Sequence, residues 1–247
     1  MIRVRGLRKQ YPGGAVALDG VDLDIEVGER VALIGPSGAG KSTLLRCLNG
    51  FVMPTAGQVQ VGGATVTGAT GERLRLIRAG VGFVYQQFNL QRRLSVLENV
   101  LIGGLARAPR LRSILGLFPA TDAARARAAL ARVGLGGLDE RRVDTLSGGQ
   151  QQRVAIARVL VQEPRVILAD EPMASLDPAL SEAVLAQLQR ISDEDGITVV
   201  TSLHVLDLAR RYGRRVIGLR DGRVAYDGSP EGLTEAVARR IFADAAA

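Results

Sequence analysis

The sequence predicts an α/β domain with a mixed sheet core, an antiparallel β edge and a helical insertion. Three observations carry this. Short apolar, β-branched runs recur along the chain with helical stretches between them. Alternating segments near the N-terminus and a Gly-Gly turn at Gly62-Gly63 mark the antiparallel edge. From Ser95 to about Val143 strand signals vanish and helical patterns take over. At 247 residues the chain is long enough for one domain of this kind. Its predicted division is 1–93 and 144–247 for the sheet core with its β edge, and 94–143 for the helical subdomain.

Residues 2 to 8 alternate as an opening strand, and Tyr11 follows in a Pro-Gly-Gly turn. Leu18 to Val27 alternates apolar residues with Asp and Glu, the pattern of a half-exposed strand. Arg30-Val-Ala-Leu-Ile-Gly35 is a buried strand, and Ser42 to Asn49 the helix after it. A hairpin over Gly57–Gly68, a basic helix near Glu72–Arg78 and the strand Val81–Tyr85 come next. The insertion holds a helix from Ser95 and another from Thr121 to Val133, the latter capped by Thr121 or Asp122. A helix over Gln150–Val161, a strand over Arg165–Glu171, a helix from Pro178 to about Ser192 and a strand over Ile197–Thr201 complete the core. The hairpin Arg215–Leu219/Arg223–Tyr226 turns at Asp221-Gly222, and a short helix with an alanine tail ends the chain.

Composition narrows the function classes. No run reaches the roughly 18 uninterrupted apolar residues of a membrane span, and MIRVRGLRKQ lacks the apolar stretch of a signal peptide. The one cysteine, Cys47, forms no internal disulfide, which suits a reducing cytoplasm. The net charge of +7 is weak evidence for nucleic acid, because the arginines are spread along the chain and the aromatic content of 4% offers few stacking platforms. Arg107, Arg110 and Arg112 in the insertion form a solvated face or meet a partner or lipid head groups.

The chemistry concentrates in a few segments. Gly35-Pro36-Ser37-Gly38-Ala39-Gly40-Lys41-Ser42-Thr43 fits G-x-x-x-x-G-K-[ST] between a strand and a helix, the context in which such a loop cradles phosphates. Its glycines turn N–H groups inward, the helix N-terminus adds partial positive charge, Lys41 reaches the β- and γ-phosphates, and the Ser42 hydroxyl ligates Mg²⁺. Ser147-Gly148-Gly149-Gln150 offers either a second anion site or a plain N-cap. Asp170 and Glu171 end a buried strand, placed to hold Mg²⁺ and to act as general base. Gln86 follows another strand, where it touches Mg²⁺ or the attacking water, or forms a surface turn. Tyr11 either stacks on a base or packs on the sheet. Asp177 precedes Pro178 at a helix start. His204, the only histidine, is structural or hydrogen-bonds a γ-phosphate and orients Glu171.

In this order, the phosphate loop, Gln86, Leu146-Ser-Gly-Gly-Gln150, Ile167-Leu-Ala-Asp-Glu-Pro172, Ser175-Leu-Asp177 and His204 resemble the nucleotide-binding subunit of ABC transporters, over nearly the whole chain. The resemblance implies the P-loop NTPase fold of ABC ATPases, with ATP and Mg²⁺ as ligands and ATP hydrolysis as activity. It implies a head-to-tail homodimer holding ATP between Lys41/Ser42 of one copy and Ser147/Gly149 of the other. By position, Tyr11 becomes the adenine stacker and Gln86 the coupling glutamine. Asp170 becomes the Mg²⁺ acid, Glu171 the catalytic base, Asp177 the dimer-contact acid and His204 the γ-phosphate switch. Two transmembrane permease subunits and a periplasmic or extracellular substrate-binding protein are the implied partners, at the cytoplasmic face of the inner membrane.

Tyr85-Gln-Gln-Phe-Asn-Leu90, Arg93–Gly104, Pro109–Phe118, Asp195–Val200 and Val224–Ser229 further resemble phosphonate-importer ATPases. These segments are similar to those of phosphite, other oxyanion and amino-acid importers too. A soluble ABC ATPase acting on nucleic acid or ribosomes would carry two cassettes or sustained heptads, and neither is present. A non-catalytic regulatory cassette is opposed by Glu171 and His204 together.

Overall fold

The computed structural model describes residues 1–105, 107, 118–174 and 176–242. Arg110, Arg112, Ser175, the alanine tail and most of the Pro109–Phe118 likeness lie outside the described residues.

Two sheets share the core. In the first, β1 (Ile2–Gln10) pairs antiparallel with β2 (Val16–Ile25) and β4 (Ala56–Val61), and β5 (Ala64–Thr65) closes the order β2-β1-β4-β5. The apolar residues of β1 are out of strict alternation, at Ile2, Val4 and Leu7, yet all three are buried. A register shift between Val4 and Leu7, with Gly6 at φ 53°, restores the phase so that Leu7 faces inward. The β4–β5 turn uses Gly62 and Gly63 at φ 58° and 81°, the double positive φ that a tight hairpin requires.

The second sheet has the order β10-β9-β3-β8-β7-β6. Its strands are β3 (Arg30–Ile34), β6 (Val81–Val84), β7 (Val166–Ala169), β8 (Thr198–Leu203), β9 (Arg215–Arg220) and β10 (Arg223–Gly228). All pairs are parallel except β9–β10. β3, β6 and β7 are buried at every residue, as strands covered on both faces must be. The pairs Ile34↔Leu203, Thr201↔Ala169 and Ala169↔Val84 bring four strand C-termini to one edge, where α/β sheets gather ligands. β8 runs two residues past the predicted Thr201 because Ser202 and Leu203 pair with Leu33 and Ile34.

The helices follow local chemistry. α1 (Lys41–Leu48) and α2 (Gly71–Ala79) flank the hairpin. α3 (Val96–Gly104) starts at a capping box in which Ser95 and Glu98 satisfy each other's backbone N–H. α4 (Ala120–Arg132) corrects the sequence reading: neither Thr121 nor Asp122 caps it, and the cap position is Pro119 with no side-chain bond. Proline lacks an N–H and carries φ −58° here, so the helix begins directly after it and takes Asp122 into its first turn. The two ends of the insertion are tied together, with Val96 N–H donating to Arg141 O (2.8 Å) and Val143 N–H to Leu94 O (3.2 Å). α5 (Gly148–Val161) and α6 (Pro178–Asp195) continue the core, and α8 (Glu235–Phe242) packs on the β9–β10 hairpin. Sequence reading missed α7 (Leu206–Tyr212), whose seven residues are too few for a clear period and which is fixed by the tertiary bond of Arg210 to Leu233 O (2.7 Å). Among the described residues no helix is long and apolar enough to cross a membrane.

Cys47 lies in the buried face of α1 among Leu44, Leu45 and Leu48, free and 1% exposed. Burial pushes its thiol from the ordinary 9.0 up to about 11. The unfolded chain releases this proton first, so the folded state loses stability as pH rises from 9.0 towards about 11. Cys47→Ala lacks that titration. The stability difference between wild type and Cys47→Ala, from urea melts, is therefore expected to move by roughly 2 kcal/mol against the wild type between about pH 8 and about pH 10.5. A difference that stays constant with pH would contradict a buried thiol.

Candidate functional site

The phosphate loop leaves β3 at Gly35 and enters α1 at Lys41. Gly40 is the N-cap in a left-handed conformation (φ 99°), and no side chain bonds the first-turn N–H groups. They remain available to an anion. A Cβ on Gly40 would lie 2.3 Å from Ala17 O, so only glycine lets the loop pass β2. The Lys41 ammonium, 4% exposed, donates to Gly35 O (2.8 Å) and Pro36 O (3.0 Å), which curls the side chain over its own loop. Burial pushes the Lys41 pKa below the ordinary lysine value, and the carboxylates of Glu171 and Asp170 act against that fall. Ser37 to Thr43, with Ala17 and Glu171, line a cleft of about 300 Å³.

β7 supplies the acids. Asp170, 4% exposed, accepts from the Ser42 hydroxyl (2.8 Å) and the Ser202 hydroxyl (3.2 Å) on one oxygen, while Arg46 stands 3.7 Å from the other. One buried carboxylate thus joins the phosphate loop, β7 and β8. Ser202 also accepts from the Glu171 N–H at 2.8 Å. Glu171 itself sits at φ 47°, a conformation costly for a residue with a Cβ and most often retained where a site requires it. Its Oε1 meets His204 Nε2 at 2.5 Å, and the glutamate also borders a second cavity of about 540 Å³ beside His204. A phosphate cradle, a hydroxyl–carboxylate pair and a glutamate oriented by a histidine stand together at one strand edge.

A family model described as "ABC transporter" matches residues 18–174. The chain belongs to the ABC transporter family. Among curated relatives, the "Phosphonates import ATP-binding protein PhnC" of Thiobacillus denitrificans is 52% identical over 241 residues, 98% of this chain and 92% of that protein. "Phosphonates import ATP-binding protein PhnC 2" of Halalkalibacterium halodurans is 46% identical over 98% of this chain and 99% of its own length. Among solved structures, the dimeric bacterial ABC transporter cassette MJ0796 superposes with a TM-score of 0.83 at 37% identity, covering 93% of this chain and 99% of that one. A second structure of that cassette, a post-hydrolysis dimer bound to ADP and Pi, gives 0.82 at 37% identity and the same coverage.

This ABC chain brings together Lys41, Ser42, Asp170, Glu171 and His204. Tyr11 stands close by: its hydroxyl is 3.4 Å from Thr43 Oγ1 and the Lys9 ammonium lies 5.1 Å from its ring centre. Gln86 follows β6 on the same edge of the sheet but is exposed and does not line the 300 Å³ cleft. Ser147 to Gln150 are also absent from that lining. Ser147 and Gln150 form a capping box at the start of α5, Ser147 and Gly148 are exposed, and Gly149 is buried, where a Cβ would meet Leu180 Cδ2 at 2.8 Å. Asp177 caps α6, accepting from the Leu180 N–H at 3.0 Å.

Sequence reasoning missed Ser202, Arg46 and Lys9. Ser202 is one polar residue in a β-branched strand, and its position before His204 was the available signal. Arg46 lies one helical turn beyond Ser42, on the same face of α1, a spacing that directs it at the same acid.

The cap at Asp177 gives a direct test. Asp177→Ala removes the acceptor and is expected to cost about 1 kcal/mol in urea denaturation, whereas Asp177→Asn, which can still cap, is expected to stay within about 0.5 kcal/mol of wild type. Equal losses for both would place the carboxylate charge, not the cap, in the stabilising role.

Proposed function

We propose that this chain is the ATP-hydrolysing subunit of an ABC importer for phosphonates, acting as a homodimer on two transmembrane permease subunits at the cytoplasmic face of the cell membrane. The observation that carries hydrolysis is Glu171, which borders the phosphate-loop cleft and meets His204 Nε2 at 2.5 Å. In this reading the N–H groups of Gly38 to Thr43 and the Lys41 ammonium bind the ATP phosphates, and Tyr11 stacks on adenine. Glu171 accepts the proton of the attacking water, and His204 fixes the carboxylate and senses the γ-phosphate.

Mg²⁺ fits the residues present. The Ser42 hydroxyl and Asp170 Oδ1, 2.8 Å apart, are hard oxygen donors, and among the described residues no group of three His, Cys, Asp or Glu side chains is placed to hold a metal ion by itself. A cation that keeps water and phosphate oxygens needs only one or two protein ligands, and we assign Ser42 and Asp170 to it, with Gln86 joining from its loop. The ion neutralises phosphate charge.

The two helix starts, at the phosphate loop and at α5, support the homodimer. The α5 start does not line the phosphate-loop cleft of its own chain, while its Ser147 and Gly148 are exposed to a second copy. The dimeric cassettes similar in fold support that arrangement. The division into 1–93 with 144–247 and 94–143 is our reading of the domain plan, supported by the ties of Leu94 to Val143 and of Val96 to Arg141. Cargo comes from the relatives named for phosphonate import, with phosphite and phosphate as the neighbouring chemistries. A substrate-binding protein outside the membrane completes the assembly, and nucleic acid has no part in it.

Two outcomes are expected. Glu171→Gln should lower ATP turnover by about a hundredfold or more while ATP still binds, measured by phosphate release and nucleotide titration; turnover near wild type would move the base elsewhere. Cells lacking this chain should lose uptake of a labelled alkylphosphonate, regained with wild type and not with Lys41→Ala. Loss of phosphite entry with phosphonate uptake intact would change the cargo and keep the ATPase.

A further inference from the structure

The segment after β6 carries an unusual backbone. Phe88 and Asn89 both have positive φ, 44° and 52°, although neither is glycine. The Asn89 N–H turns back onto Gln87 O, closing a three-residue turn centred on Phe88. Such turns are rare and strained for residues with a Cβ. Something outside the segment must hold it.

Two side chains do so, and both come from helices that pack together. Arg158 of α5 donates Nη1 to Asn89 O (2.6 Å) and Nη2 to Phe88 O (2.9 Å), so one planar fork grips the carbonyls of both strained residues. Asn99 of α3, fully buried, accepts from Gln91 N–H (2.7 Å) and donates to Gln91 O (3.0 Å). The helices meet where these residues leave them: a Cβ on Gly103 of α3 would lie 2.0 Å from the Arg158 carbonyl oxygen. Burial pushes Arg158 below the ordinary arginine value, with Tyr85 at the end of β6 acting the other way. The guanidinium is half-buried, and two of its donors are directed at the two carbonyls.

We propose that Arg158 is a positioning residue for ATP hydrolysis, holding the Gln86–Asn89 turn against α5 so that Gln86 moves with the helix whose start bears Ser147. The inference rests on the ATPase reading. The turn is gripped from α5 at Phe88 and Asn89, and α3 holds Gln91 just beyond it. A rotation of the insertion helices, or of the α5 start when it meets a nucleotide on a second copy, thereby carries Gln86 towards or away from the strand edge. Without the fork, the turn relaxes to ordinary φ values and Gln86 is set free of α5.

The test uses the full chain, which contains no tryptophan, so F88W places a single indole in the turn. In that background, Arg158→Met keeps the side-chain stem and removes both donors, and Arg158→Lys keeps the charge without the planar fork. Arg158→Met is expected to raise acrylamide quenching of the indole by roughly twofold. It is also expected to lower kcat by about tenfold to a hundredfold with KM for ATP changed less than about threefold. Arg158→Lys should recover part of both effects. If Arg158→Met does not fold, as judged by thermal melting, the same readings on Arg158→Lys decide. Unchanged quenching, or kcat, KM and melting temperature falling together without a change in quenching, would overturn the proposal and leave Arg158 a packing residue. Should the parent chain hydrolyse no ATP, the ATPase reading fails and the role in turnover with it. The quenching result then still tells whether Arg158 fixes the turn.

Discussion

The structure turns on one buried carboxylate. Asp170 receives the hydroxyl of Ser42 from the phosphate loop and that of Ser202 from β8 on a single oxygen. A carboxylate withdrawn from water costs free energy unless its lone pairs are occupied, so these bonds fix three segments relative to one another. Ser202 passes the constraint on by accepting from the Glu171 N–H, which holds Glu171 at a positive φ, with its carboxylate meeting His204. The spacing between phosphate cradle and glutamate is therefore set by sheet register and two serines, not by the loops that carry them.

Much of this was legible in the sequence, for a physical reason. Strands buried on both faces must be continuous apolar runs, and Arg30–Ile34, Val81–Val84 and Val166–Ala169 are such runs. Glycines at positions where a Cβ cannot fit, Gly40 among them, announce the cradle before any coordinates are known. Parallel order was less legible, because β3 lies between β8 and β9, strands more than 160 residues away in the chain. Ser202 escaped for the same reason: its value comes from the neighbour that register gives it, and a lone serine in Thr198–Leu203 carries no local mark of that.

Local chemistry misled where two side chains competed for one task. Thr121 and Asp122 are both good cap residues, yet Pro119 starts α4 two residues earlier because a residue with fixed φ and no N–H loses nothing at that place. Ser147 shows the opposite case. Its capping box with Gln150 satisfies the two residues within the chain, while the hydroxyl stays exposed at a helix start that bears no acidic residue in its first turn. One residue can serve as cap and as part of an anion site, because a hydroxyl oxygen that accepts from an N–H still has a proton to donate.

Gly103 and Arg158 follow a different logic from the glycines of the cradle. Gly35 and Gly40 clear space for backbone beside a phosphate site, whereas Gly103 lets α3 approach α5 at Arg158, whose guanidinium reaches Phe88 and Asn89. Close helix contact leaves little freedom for the two helices to slide, so they respond to a load as one body. The strained turn connects that body to β6, and its backbone sits in conformations that other residues must enforce. On the proposal that Arg158 couples the turn to α5, a load at the α5 start reaches Gln86 through the fork, while Asp170 and Ser202 tie β7 to β8.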